Sequence, residues 1–130
     1  MDTGIRQGGR ETVSKLFERA IMESAKPREV YTANEALDHI LELLRGGYIA
    51  AYDDHGYMIM WKKEGGAIMV ADSEDGGDKK ESIEEIRAWL ATWFTGEEGG
   101  DPDQPGEDPM TIRPAMPEEY DDFIQFLAGV

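Results

Sequence analysis

The chain is 130 residues long, with 28 acidic and 13 basic side chains, a formal net charge of −15 and no cysteine. That balance argues against direct binding to nucleic-acid phosphates or to an anionic membrane surface, because both need a basic patch. The absence of cysteine excludes disulfides, thiolate chemistry and cysteine-bound metals.

The length suits one domain that buries roughly two-thirds of its unfolded surface. The first thirty residues lack a basic stretch followed by an apolar run, and nothing approaches the roughly 18–20 apolar residues of a membrane span. The expectation is a soluble cytoplasmic protein that meets no membrane.

Residues 1–10 hold three glycines and few apolar anchors, and read as a flexible arm. Residues 11–95 read as a compact α+β domain. Its first helix is predicted from Val13, Leu16, Phe17, Ala20 and Ile21, which share one helical face, and Pro27 stops it. A second helix follows Thr32, which forms a capping box with Glu35. Ala36, Leu37, Ile40, Leu41 and Leu44 make its buried stripe, and Gly46-Gly47 end it.

From Tyr48 to Ala71 the pattern shifts to short apolar runs separated by Asp53-Asp54-His55-Gly56 and Lys63-Glu64-Gly65-Gly66. This predicts a three-stranded antiparallel meander with strands Tyr48 to Tyr52, Tyr57 to Lys62 and Ala67 to Ala71. In the middle strand Tyr57, Ile59 and Trp61 point one way and Met58 and Met60 the other, so both faces are apolar and need covering.

A Ser82–Glu85 capping box opens a third amphipathic helix striped by Ile83, Ile86, Trp89, Leu90, Trp93 and Phe94. These aromatics read as the main core layer against the sheet. Residues 96–109 are rich in Gly, Pro and acids, the composition of a flexible acidic linker. Residues 110–130 form a strand–helix tail: an extended Met110 to Arg113, then Pro117 at the first turn of a short helix with Tyr120, Phe123, Ile124 and Leu127 on one face. That helix is too short to stand alone and must dock on its own body or on a neighbour.

The charge is unevenly spread. Residues 1–71 carry 11 acids and 9 bases, whereas residues 72–130 carry 17 acids and 4 bases. The excess falls in three groups: Asp72, Glu74, Asp75 and Asp78; the acids of the linker; and Glu118, Glu119, Asp121 and Asp122. Solubility accounts for a solvated acidic run, but it does not require a Tyr and two Phe among the last carboxylates. Those four acids, with Tyr120 and Phe123 as apolar anchors, are the candidate partner-binding residues.

Chemical motifs are scarce. Asp101-Pro102-Asp103-Gln104-Pro105-Gly106 starts like a calcium loop, but Pro105 occupies a ligand position and Ile112 stands where a bidentate Glu is required. Ile83 fails the Asp72 group in the same way. His39 and His55 are isolated, so no metal ligands are assigned. There is no nucleophile elbow, phosphate-binding loop or dinucleotide fingerprint. His55 beside Asp53 and Asp54 reads as a polar turn residue. No catalytic residue and no cofactor are expected.

Met110 to Leu127, MTIRPAMPEEYDDFIQFL, resembles the opening strand and acidic helix of GNAT-type N-acetyltransferases. The resemblance covers about a seventh of the chain and would imply acetyl-CoA binding through an R/Q-x-x-G-x-G/A loop. Arg6-Gln7-Gly8-Gly9-Arg10 departs from that spacing, so no functional residue carries over.

The sequence therefore points to a small, acidic, non-enzymatic interaction module. It would bind a protein partner with a basic or apolar surface, and would act as an inhibitor that masks a nucleic-acid-binding surface by imitating phosphates. The alternatives are an assembly component, as in a phage particle, whose tail helix docks on a neighbouring subunit or a second copy, and a degenerate acetyltransferase.

Overall fold

Two well-capped helices frame the computed structural model, which describes residues 26–129. In chain order the elements are β1 (Arg28–Val30), α1 (Ala33–Arg45), β2 (Ile49–Asp54), β3 (Tyr57–Glu64), β4 (Ala67–Asp72), β5 (Gly77–Glu81), α2 (Ile83–Thr95), β6 (Met110–Ala115) and α3 (Pro117–Leu127). The α+β class expected from the sequence holds. The three-stranded meander does not: among the described residues six strands form one antiparallel sheet, in the order β1-β6-β2-β3-β4-β5. The arm at 1–10 and the helix expected around Val13 to Ile21 lie outside the described residues.

Local chemistry explains the helix ends. At α2 the box closes fully, with Glu85 N–H donating to Ser82 Oγ at 3.0 Å and Ser82 N–H to Glu85 Oε1 at 2.8 Å. At α1 it closes one residue early: Glu35 N–H donates to Thr32 Oγ1, but the Glu35 carboxylate accepts from Tyr31 N–H. Gly96 ends α2 at φ 74°, a left-handed conformation that glycine takes without strain.

The β2–β3 hairpin turns through His55 and Gly56, both at positive φ, as a two-residue connection demands. The pleat then sorts the side chains. Ile59 and Trp61 join Tyr52, Val70, Ile112 and the apolar stripes of α1 and α2 in the larger core. Met60 joins Ile49, Ala51, Ala71, Ala115, Tyr120 and Phe123 in a smaller core beneath α3. Both faces of the sheet are thus covered, as the alternation in β3 requires.

β5 has the sequence GDKKE and no apolar residue, so periodicity gives no sign of it. It closes one edge of the sheet, where charged side chains discourage pairing with another chain. β6 sits between β1 and β2, with Met110 opposite Val30 and Ala115 opposite Ile49. Among the described residues β1 pairs with β6 only as far as Ile112, so Pro114 lies beyond that ladder, where a missing N–H is tolerated.

The segments expected as a linker and a tail both pair with the body. Residues 96–109 strap back across the start of α1: Asn34 N–H donates to the Pro102 carbonyl at 3.1 Å and Gly106 N–H to the Tyr31 carbonyl at 2.9 Å. The Asn34 side chain donates to Asp103 Oδ1 at 2.6 Å and accepts from Arg87 Nε at 3.0 Å, tying α1, α2 and the strap together. A Cβ on Gly106 would meet Phe94 Cδ1 at 2.8 Å. Beyond the strap the chain forms an interior strand and its helix rather than an appended tail.

Candidate interaction site

The sequence-predicted site residues divide by depth. Glu118, Glu119, Asp121 and Asp122 are exposed on α3. Tyr120 and Phe123 are buried at 2% and 7% exposure, facing the protein's own sheet. The Tyr120 hydroxyl donates to Asp78 Oδ2 on β5 at 3.2 Å, and Lys62 Nζ lies 5.2 Å from its ring centroid. Burial, then the charge of Asp78, pushes the Tyr120 hydroxyl well above the usual phenol range. These two rings hold α3 in place and are not available as partner anchors in this arrangement. The apolar groups α3 exposes are Phe126, at 72%, and Met116 at its start. Phe126 lies off the helix's buried stripe.

The α3 carboxylates differ in their company. Arg113 reaches Glu119 at 3.5 Å and Asp53 at 3.4 Å, and Glu119 also accepts from Met116 N–H at the helix start. Among the described residues no cation pairs with Glu118, Asp121 or Asp122.

A second acidic surface lies across the sheet, between α2 and the β5 edge. The register places Lys79 opposite Val70, Gly77 opposite Asp72 and Glu81 opposite Ile68, so the only β5 side chains on the helix-facing side are those of Lys79 and Glu81. With nothing apolar to fill the space, a cavity of about 270 Å³ remains, floored by Ile59, Trp61 and Val70 and walled by Trp89. Trp61 and Trp89 meet edge to face at 6.3 Å. Asp72, Glu74, Asp75 and Glu81 oppose one ammonium, that of Lys79. A more open depression shares Glu74 and Trp89 and adds Asp54, Tyr57 and Trp93.

Within this cleft Asp72 is only 9% exposed. Its carboxylate accepts from the Tyr57 hydroxyl at 2.6 Å and from Glu74 N–H at 2.8 Å, and among the described residues no cation pairs with it. Burial, then the hydrogen bond to Asp72, pushes the Tyr57 hydroxyl far up, so it stays protonated as a donor. Lys79 Nζ sits 3.4 Å from Asp75 and 3.6 Å from Glu81. Burial raises the Glu81 carboxyl, with Lys79 opposing that rise.

The histidines stand apart from both surfaces. His55 is an exposed turn residue 3.3 Å from Asp54. His39 is buried at 1% on α1, away from the cleft. Among the described residues no group of three or more His, Asp or Glu side chains is arranged to hold a metal ion, and no helix is long and apolar enough to cross a membrane.

Sequence reasoning marks the Asp72 loop as acidic and Trp89 as core, but it misses Lys79 and Glu81 as cleft residues because it does not foresee β5. The only usable signal is Asp78-Lys79-Lys80-Glu81 at strand length between a glycine turn and a helix cap.

No protein-family model, curated protein or solved structure matches the chain. The strand and helix of the acetyltransferase-like phrase do form, as β6 and α3, but no acetyl-CoA loop of that family's spacing occurs among the described residues.

Proposed function

We propose that the protein is a non-enzymatic cytoplasmic interaction module that binds a basic surface of a partner protein and masks it, in the manner of an inhibitor of nucleic-acid binding. The supporting observation is the docking of α3. With Tyr120 and Phe123 committed to the sheet, the helix holds Glu118, Asp121 and Asp122 outward on a fixed frame, uncompensated by any cation among the described residues. A fixed row of charge attracts a cationic surface at lower ordering cost than a mobile acidic tail.

Titration with a nine-residue arginine peptide tests this reading. Affinity should fall at least tenfold between about 50 and 300 mM salt as exposed charges are screened. The combined Glu118→Gln, Asp121→Asn and Asp122→Asn variant should associate more slowly and bind about threefold or more weakly, because exposed charges steer encounter. Absence of binding at low salt, or binding indifferent to salt, would refute the reading.

Exposed Phe126 supports a second reading, an assembly component in which α3 meets a neighbouring subunit. Sedimentation of the intact protein against its Phe126→Asp variant tests it: a larger species that dissociates in the variant is expected, and a monomer in both would exclude self-assembly through this residue.

A further inference from the structure

We infer that the cavity beside Trp89 is the receptor for a single arginine side chain of the basic partner, and that Lys79 occupies its rim when the partner is absent. This rests on the partner reading above and assigns that reading its anchor point.

Asp72 is the primary reason. A buried carboxylate is ordinarily matched by a cation, since hydrogen bonds from neutral donors only partly replace its hydration. Asp72 has one such donor on each oxygen, the Tyr57 hydroxyl and the Glu74 N–H. A carboxylate has about four lone-pair sites, so acceptor capacity remains on both oxygens at the cavity wall. Among the described residues that charge is buried and solvated by dipoles alone, with no cation beside it.

Shape and walls narrow the class of cation. At about 270 Å³ the cavity falls just below the usual range of about 300–1,000 Å³ for small-molecule pockets, a size suited to one side chain. Trp89 offers an indole beside the acids, and a guanidinium stacks on an aromatic face while its planar fork serves carboxylates. Asp72, Glu74 and Glu81 give that fork acceptors on more than one side. A bare metal ion fits less well, because the described residues contain no converging ligand set.

Lys79 is the chain's own evidence that the rim accepts a cation. Its ammonium is shared between Asp75 and Glu81, and its side chain is 60% exposed. An exposed contact of this kind contributes little to stability, so an incoming guanidinium can displace it. A lysine at that point also blunts the field of the unliganded cleft.

The experiment uses the full chain and follows indole Nε1–H resonances and affinity during titration with nine-residue arginine and lysine peptides. The wild type should bind the arginine peptide with shifts centred on the Trp89 indole, and the lysine peptide at least fivefold more weakly. Asp72→Asn, nearly isosteric, should weaken arginine binding at least tenfold, as should Trp89→Ala. Lys79→Ala should tighten it about threefold or more by emptying the rim.

If the arginine peptide binds but Asp72→Asn binds as tightly as wild type, the cavity assignment is overturned while the basic-partner reading survives. If no basic peptide binds at low salt, both fall. Equal affinity for the lysine peptide would overturn the guanidinium assignment, and unchanged affinity in Lys79→Ala would overturn the stand-in role. Should Trp89→Ala fail to fold, Asp72→Asn and Lys79→Ala still decide the matter.

Discussion

Replacing Phe123 by Ala tests whether α3 belongs to its own sheet. Phe123 is 7% exposed and packs in the smaller core with Met60, Ala71 and Tyr120. Removing a buried phenyl ring forfeits its transfer from water and leaves an unfilled space, at a cost of about 3–5 kcal/mol. Domains of this size are stable by about 5–15 kcal/mol, so the loss is a large share of the total. At roughly 4 °C per kcal/mol for this chain length, the melting midpoint should drop by about 12–20 °C. Phe126→Ala is the matched control: the same chemistry on the same helix, but 72% exposed, with an expected effect within about 0.5 kcal/mol. Thermal unfolding followed by far-ultraviolet circular dichroism reads both variants. If Phe123→Ala melted like Phe126→Ala, α3 would not rest on this sheet, and the fixed row of carboxylates would lose its frame.

Two buried positions give further expected outcomes. His39 is buried, and burial followed by the charge of Arg28 lowers its pKa from 6.5, against an opposing pull from Glu42 at 3.5 Å. On acidification the unfolded chain therefore takes up this proton first. Stability from this residue is complete above about pH 7 and declines as the pH falls toward the lowered folded value. Denaturant midpoints of His39→Leu should lack that decline as the pH is lowered from about 7, and an identical slope in both proteins would show that His39 is not its source. Gly106→Ala should cost about 1–3 kcal/mol through overpacking against Phe94, since the added Cβ would stand 2.8 Å from Phe94 Cδ1 and 3.0 Å from its carbonyl oxygen. Gly66→Ala, with nothing within 4 Å of the new atom, is the comparison, and equal midpoints in the two variants would mean that the strap does not lie on Phe94.

Features that depend on neighbouring residues are legible in the sequence. The Ser82–Glu85 box, the glycine stops and the alternating faces of β3 each follow from a few consecutive positions, and each is present in the structure. Pairings at long range are not legible. β6 reads as the start of a tail because its partners, Val30 and Ile49, lie more than sixty positions away. The strap reads as a linker because Gly, Pro and acids have the composition of mobile chain, whereas here Asn34 fixes it from a distance. Tyr120 and Phe123 do share one apolar face, as their spacing indicates. What that face meets depends on β3, β4 and β5 lying beneath it, and a stripe on one helix carries no information about that.

The least conspicuous segment, GDKKE, determines most of the candidate site. A strand without apolar residues suits a sheet edge because its charges deter edge-to-edge pairing. The same lack of apolar residues leaves the space under α2 open and puts Lys79 and Glu81 at its mouth. On the other face β5 supplies Asp78, the acceptor that fixes Tyr120 and with it the carboxylates of α3. Both acidic surfaces are therefore organised from one strand, and they flank a single edge. A basic segment lying along that edge has carboxylates on either side and the Trp89 cavity within reach of one long side chain. Changes in β5 should accordingly alter partner binding more than equal changes of charge in the strap at 96–109, which lies over α1 and away from that edge.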